Sequence, residues 1–301
     1  MLVGRARREP NEGNSVEETK TAGQLVLVAT PLGNLGDLSR RALELFRDAD
    51  VIYCEDTRHS RVLFSAHDIA TGGRLQSLHE HNEAAQSERI VERVRAGELV
   101  VLISDAGTPG ISDPGSRAAA AVIDAGLTVS TAPGPSAVVA ALSVSGLPTE
   151  RFVMEGFLPR KVGERQRLYE EWVGEARTIV FYESPQRLAA VLDELAEKFP
   201  QRRVAVAREL TKLHEEVVRG TLEEVAAIFA TRDVLGEIVV VLDGESVVGH
   251  VDDDVVLAAL TEQWNDGATT RDAVEYVAEA LGVARRDVYQ LALDARKDRP
   301  L

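Results

Sequence analysis

Five apolar residues, Leu99-Val-Val-Leu-Ile103, run into the twelve-residue stretch Ser104-Asp-Ala-Gly-Thr-Pro-Gly-Ile-Ser-Asp-Pro-Gly115, and an alanine-rich segment, Ser116–Ala125, follows. A short unbroken apolar run bounded by turn residues reads as a strand buried on both faces, as in parallel sheets. The alanine-rich segment reads as a helix. Strand, glycine-rich turn and helix in that order point to an α/β protein, in which ligands lie outside the carboxyl ends of the strands. The connector exceeds the roughly 2–6 residues of an ordinary βα loop. Its glycines allow positive φ and close approach of backbone to a ligand. Asp113 and Pro114 read as the N-cap and first-turn proline of the helix. Ser104–Gly110 caps nothing and reads as a binding loop.

Strands and helices alternate from Leu25 to Ala141. Leu25–Ala29, Val51–Cys54, Leu99–Ile103 and Leu127–Thr131 read as strands. Ser39–Arg47, Glu83–Arg95, Ser116–Ala125 and Ser136–Ser145 read as helices, with Ile90, Val91 and Val94 on one face of the second. The pattern predicts a parallel, helix-covered sheet. Gly146-Leu-Pro148 interrupts it and reads as a hinge. Beyond it, Arg151–Phe157, Thr178–Tyr182, Arg203–Ala207, Glu215–Arg219 and Glu237–Leu242 read as strands. Lys161–Gly174, Pro185–Lys198 and Leu222–Ala230 read as helices, Ser184 capping the second. The irregular spacing predicts a mixed sheet. Asp243–Val251 reads as a linker. Asp252–Gln263, Thr270–Leu281 and Arg285–Lys297 read as three helices, either a helix-turn-helix-like module or a small bundle. The expected organisation is a disordered extension over 1–23, α/β domains over 24–146 and 147–243, and a helical module over 252–301.

The first 23 residues are polar and lack the apolar core of a secretory signal, and the apolar runs elsewhere are strand-sized. One cysteine, Cys54, excludes an internal disulfide, reads as a small core residue and suits the cytosol. His79-Glu-His81 offers too few ligands for an ordinary zinc site. The 34 basic against 49 acidic residues, a net charge of −15, argue against nucleic acid, whose phosphates demand basic surface. Net charge is not charge distribution, however. Arg40-Arg41, Arg58, Arg61, Arg160-Lys161, Arg165, Arg167 and Lys212 either make a basic face or are scattered and solvated. The helical module opens on Asp252, Asp253 and Asp254, which makes DNA an unsuitable partner.

Pro31-Leu-Gly-Asn-Leu-Gly-Asp37 lacks both the Gly-Lys-Ser/Thr ending of a phosphate loop and the register of a dinucleotide fold. With its neighbours it belongs to a longer set: Ala29–Asp37, Glu55-Asp-Thr-Arg58, Ala132-Pro-Gly-Pro-Ser-Ala137, Phe181-Tyr-Glu-Ser-Pro-Gln-Arg187 and Ala207-Arg-Glu-Leu-Thr-Lys-Leu-His-Glu-Glu216. In order and spacing from about Gln24 to the C-terminus these resemble the tetrapyrrole methylase superfamily, and within it the branch that methylates ribosomal RNA. The resemblance implies two α/β domains with S-adenosylmethionine folded in a cleft between them, plus the helical module. It implies cofactor contacts at Pro31, Asp105, Ala106, Gly107, Ile111, Ser136, Ala137, Tyr182, Glu183 and Leu210. It also implies 2′-O-methylation of a cytidine in the decoding region of 16S ribosomal RNA, the small ribosomal subunit as partner and a cytoplasmic homodimer; the strand-sized apolar runs and the acidic module leave neither membrane nor DNA as an expected partner. Methyl transfer from a sulfonium expels a neutral thioether, so the protein's tasks are alignment and activation of the nucleophile. Glu55, Asp56, Arg58 and Lys212 are the candidate catalytic residues, Arg58 for phosphate. Glu55–Arg58 reads alternatively as a helix start. Two other functions fit the same scaffold: methylation of a tetrapyrrole or other small molecule, and a ribosome-associated binding protein without turnover.

Overall fold

A computed structural model describes residues 23–244, 253–283 and 285–297. The expected N-terminal extension, apart from Gly23, and most of the expected linker lie outside the described residues. Two compact units divide the chain at Ser136 and Ala137.

In the first unit, strands β1 (Gln24–Val28), β2 (Val51–Cys54), β3 (Leu75–Ser77), β4 (Leu99–Ile103) and β5 (Thr128–Ala132) form one sheet in the order β3-β2-β4-β1-β5. Every pairing is parallel. Successive side chains on a strand point to opposite faces. Val26, Val28, Val101 and Ile103 therefore meet α1 (Arg40–Asp48) and α2 (Thr57–Ala66), where Phe46 and Phe64 pack edge to face at 5.0 Å. Leu25, Val100 and Leu102 meet α3 (Glu83–Arg95) and α4 (Ser116–Asp124) through Ile90, Val94, Ala118 and Val122. Both sheet faces are covered, which is why these strands read as continuous apolar runs.

Helix starts follow local chemistry in two cases and a distant residue in a third. Ser39 accepts from the Ala42 N–H at 3.1 Å and Asp56 from the Arg58 N–H at 2.8 Å, opening α1 and α2. The helix start at Glu55–Arg58 is thus realised. The expected cap of α4 by Asp113 and Pro114 is not. Gly115 holds the N-cap position with φ +132° and no side-chain cap of its own, leaving Pro114 outside the helix. Glu83 on α3 reaches across instead, its Oε1 accepting from Gly115 N–H at 2.8 Å and Arg117 N–H at 3.1 Å. Glu83→Ala should therefore cost about 1–3 kcal/mol in urea denaturation, the penalty for two stranded N–H groups, while the exposed Glu80→Ala stays near wild type.

The second unit opens with α5 (Ala137–Ser145), whose Val138, Ala141 and Leu142 pack on Val180, Ala205, Ala207, Val239 and Val241. That packing places the division before α5 and not at Gly146. The sheet contains β6 (Phe152–Phe157), β7 (Thr178–Glu183), β8 (Arg203–Arg208), β9 (Glu216–Thr221) and β10 (Ile238–Leu242), ordered β6-β7-β10-β8-β9. Only β6 and β7 run parallel; the other neighbours are antiparallel. Helices α6 (Val162–Glu171), α7 (Pro185–Lys198) and α8 (Leu222–Phe229) accompany a core containing Tyr169, Trp172, Phe181, Leu192 and Phe229. Ser184 precedes α7 but its hydroxyl makes no cap hydrogen bond; it turns to the Glu183 carboxylate at 3.4 Å. The last helices, α9 (Asp253–Asn265), α10 (Thr270–Leu281) and α11 (Arg285–Lys297), close a core of their own around Val256, Leu260, Val274, Val277, Val288 and Ala292. Thr269 caps α10, and Gly282 ends it in the left-handed region at φ +66°.

Candidate functional site

Because the first sheet is parallel throughout, the loops after its strands emerge along one edge. β1 leads to α1 on one face, while its neighbour β4 leads to α4 on the other. Neighbouring strands that feed opposite faces open a crevice at their carboxyl ends. The two loops are stitched together there. Thr30 N–H donates to Gly107 O at 2.8 Å, and Gly107 N–H returns a bond to Thr30 O at 3.0 Å. Thr30 Oγ1 donates to Ser104 O at 3.1 Å, and Ser104 Oγ to Gly107 O at 3.0 Å. Both hydroxyls are buried, so Thr30 and Ser104 serve as anchors of the loop. Thr108 Oγ1 ties the third loop by donating to Pro135 O at 3.0 Å.

Pro31, Asp105, Ala106, Gly107 and Ser136 thus come together at one edge, with Ile111 half-exposed on the same loop. Gly107 is required twice over. Its φ is +79°, and a Cβ there would stand 3.3 Å from Leu32 Cδ2. The N–H groups of Asp105 and Ala106 donate to nothing among the described residues. Free backbone donors beside a glycine held in positive φ suit the polar edge of a nucleoside-containing cofactor.

Three carboxylates lie beside this backbone, each in a different state. Asp56 is chelated by the residue it caps, Arg58 Nε at 3.2 Å and a terminal nitrogen at 2.8 Å. Those hydrogen bonds hold its carboxyl well below the usual range. Asp105 accepts from Asp56 N–H at 3.2 Å and faces His59 Nδ1 at 3.9 Å. Glu55, half-buried, makes no side-chain hydrogen bond among the described residues. Burial first, and the charge of Asp105 second, push its carboxyl above the usual range.

In the second unit Ala137 opens α5, and the other expected residues sit at the carboxyl ends of β7 and β8. Tyr182 packs its ring at 5.3 Å from Phe157. The Glu183 side chain is fully buried and occupied: Oε1 accepts from Ser184 N–H at 2.7 Å, and Oε2 stands 3.1 Å from Arg187, close but not aligned as a hydrogen bond. Arg187 in turn binds Leu158 O and Pro159 O, each at 3.0 Å. The Phe181–Arg187 motif is thereby explained as a turn lock, leaving backbone as what Glu183 can offer a ligand.

Leu210 is buried between two residues with positive φ, Glu209 at +51° and Thr211 at +66°. Such conformations are costly for residues with a Cβ and must be held by their surroundings. Lys212 Nζ does so, donating to Glu209 Oε1 at 2.9 Å and Glu237 Oε2 at 3.0 Å. Burial pulls its ammonium down, but the two carboxylates prevail and raise it. Lys212 is therefore a fixed cation and not a neutral base. The Gly236-Glu237 pair completing this clamp carries no functional signal in the sequence; a Cβ at Gly236 would run into the Glu209 carboxylate.

The candidate basic face is partly neutralised, with Arg41, Arg61, Arg160 and Arg167 exposed and in no ion pair among the described residues. Arg40 pairs with Glu44, Lys161 with Glu164, and the buried Arg165 with Glu194.

Comparison with known proteins then gives a consistent picture. The family model described as Tetrapyrrole (Corrin/Porphyrin) Methylases matches residues 24–226. A protein of Mycobacterium tuberculosis named ribosomal RNA small subunit methyltransferase I is 46% identical over 280 residues, 92% of this chain and 97% of that one. A Synechocystis protein of the same name is 41% identical over 279 residues, 92% and 99% of the two chains. Among solved structures, a cobalt precorrin-4 methyltransferase aligns over 76% of this chain and 98% of its own with TM-score 0.55 and 17% identity. A conserved hypothetical protein from Aeropyrum pernix K1 aligns over 93% and 100% with TM-score 0.56 and 21% identity. At such identities the structures speak to the fold alone.

Proposed function

The chain belongs to the tetrapyrrole methylase family, and we propose on that premise that it is an S-adenosylmethionine-dependent methyltransferase of small-subunit ribosomal RNA. The observation that carries this reading is near-complete coverage: relatives of that name match from the first sheet through the helical module, at 38–46% identity. More finely, the acceptor is the ribose 2′-hydroxyl of a cytidine in the decoding region, and the protein acts as a cytoplasmic homodimer on the small subunit. No helix among the described residues is long and apolar enough to cross a membrane.

When bound, the cofactor supplies an electrophilic methyl on a sulfonium. The protein's part is binding, alignment and removal of one proton. Pro31, Asp105, Ala106, Gly107, Ile111 and Ser136 are the proposed contacts in the first unit, chiefly through backbone. Ala137, Tyr182, Glu183 and Leu210 are those of the second. Of the four candidate catalytic residues, Glu55 alone has an unengaged carboxylate, so it is the proposed base for the 2′-hydroxyl proton. Asp56 and Arg58 neutralise each other, and Lys212 stiffens the Leu210 loop.

The test is transfer of labelled methyl to small ribosomal subunits from a strain lacking this protein, followed by mapping of the modified nucleotide. Label on one cytidine ribose is the expected result. Absence of label on subunits and on naked RNA, with cofactor binding intact, would overturn the reading in favour of a small-molecule acceptor.

A further inference from the structure

The last three helices are rich in acid, yet one groove on them gathers the opposite charge. Arg271 and Val274 from α10 and Arg285, Arg286, Tyr289 and Gln290 from α11 line a space of about 500 Å³. Arg285 shares the Glu275 carboxylate at 3.4 Å. Arg271 and Arg286 are exposed and enter no ion pair among the described residues. Elsewhere several guanidinium groups are spent inside the fold, although Arg41, Arg61, Arg160 and Arg167 are exposed and enter no ion pair among the described residues. Arg74 binds carbonyls of Phe46, Ala49 and Ala70, Arg202 those of Trp172 and Asp243, and Arg165 the Glu194 carboxylate. Tyr289 is about half exposed beside these arginines, over the buried Val274.

Unpaired guanidinium forks match phosphate oxygens, and a half-exposed aromatic ring offers a stacking face to an unpaired base. Arginine together with an accessible aromatic ring is how single-stranded and loop RNA is held. We propose that this groove binds the phosphodiester backbone of unpaired ribosomal RNA and anchors the substrate through the helical module. The inference rests on the ribosomal RNA reading and adds a second contact to it. It also reconciles a net charge of −15 with an RNA substrate, because the cationic surface is local.

The test uses the full-length protein and two probes, naked small-subunit ribosomal RNA and purified unmodified small subunits. The double variant Arg271→Ala/Arg286→Ala should weaken binding of both by about tenfold or more near 0.1 M salt. Its log-affinity against log-salt slope should be shallower by about 1.4, the counterions released at two single-strand phosphates. Arg271→Lys/Arg286→Lys should restore the slope, and Tyr289→Ala should weaken binding with the slope unchanged. Cofactor affinity should stay at the wild-type value in every variant, which separates loss of the groove from loss of the fold. Unaltered affinity and slope on both probes would overturn the proposal. So would a loss confined to assembled subunits, which would assign the groove to a ribosomal protein. Wild-type protein that binds RNA through these residues yet transfers no methyl would sink the methylation reading and leave the groove standing.

Discussion

Glu194→Ala will lower the stability of the second unit by about 3–5 kcal/mol, the cost of abandoning a buried cation. Arg165 is 6% exposed. It spends Nε and one terminal nitrogen on the Glu194 carboxylate and the other on Pro159 O and Arg160 O, at 3.1 and 2.8 Å. Tyr169 completes the network with a 3.2 Å bond to the same carboxylate. Without Glu194 the guanidinium cannot reach water and cannot lose its proton. Trp172, 5.4 Å from Tyr169, reports on this region in urea titrations, and a Trp264→Phe background silences the other indole. The effect depends on pH with a defined sign. The Arg165 hydrogen bond, opposed by burial, holds the Glu194 carboxyl below its ordinary value. Its contribution is therefore complete above the unfolded carboxylate range near pH 4.3 and disappears as pH falls through the lowered folded value. The gap between wild type and Glu194→Ala should narrow in acid. A gap that is constant or widens below pH 4 would show that the ion pair is not its source.

Glu55→Gln is expected to reduce turnover by about a hundredfold or more, the usual worth of a positioned base, and to leave cofactor affinity unchanged. In the wild type, kcat/KM should fall as pH drops through the Glu55 value, which burial and Asp105 place above the ordinary carboxylate range. That acid limb should vanish in Glu55→Gln. It should persist in Asp56→Asn, because Asp56 is ionised well below that range by its bonds to Arg58. An acid limb that survives Glu55→Gln would remove Glu55 from the role.

The sequence is legible where structure is local and illegible where it depends on distant partners. Leu99–Ile103 and Glu83–Arg95 carry their periods in their own residues, and both elements have the expected bounds. The edge strand Leu75-Gln-Ser77 has three residues and no apolar run, so nothing marks it. Thr57–Ala66 mixes histidine, serine and arginine along its exposed side, and only its Asp56 cap hints at a helix. The role of Glu83 lies 32 residues from the backbone it caps, and that of Glu194 lies 29 residues from Arg165. The candidate basic clusters overstate the available charge for a mostly local reason: Arg40, Arg58, Lys161 and Lys212 meet acids two to four residues away, and only the Glu194 partner of Arg165 and the second partner of Lys212, Glu237, are brought in by folding. At the candidate site, the glycines and short polar residues of Ser104–Gly115 announce a loop that approaches a ligand. The distinction between Glu55 and Asp56 is invisible without the Arg58 chelate and the neighbouring Asp105.

The position of β1 has a kinetic consequence. Among the described strands it leaves the ribosome first, yet its neighbours in the sheet are β4 and β5. Thr30 and its partner Ser104 are 74 residues apart. At about 5–20 residues per second, an apolar segment waits some 4–15 s before its first neighbour exists. During synthesis Gln24–Val28 is thus an orphan strand, open to holding chaperones or to aberrant pairing with another nascent chain. Slowing translation between β1 and β4 should reduce the yield of native protein, whereas the same pause after β5 should be harmless.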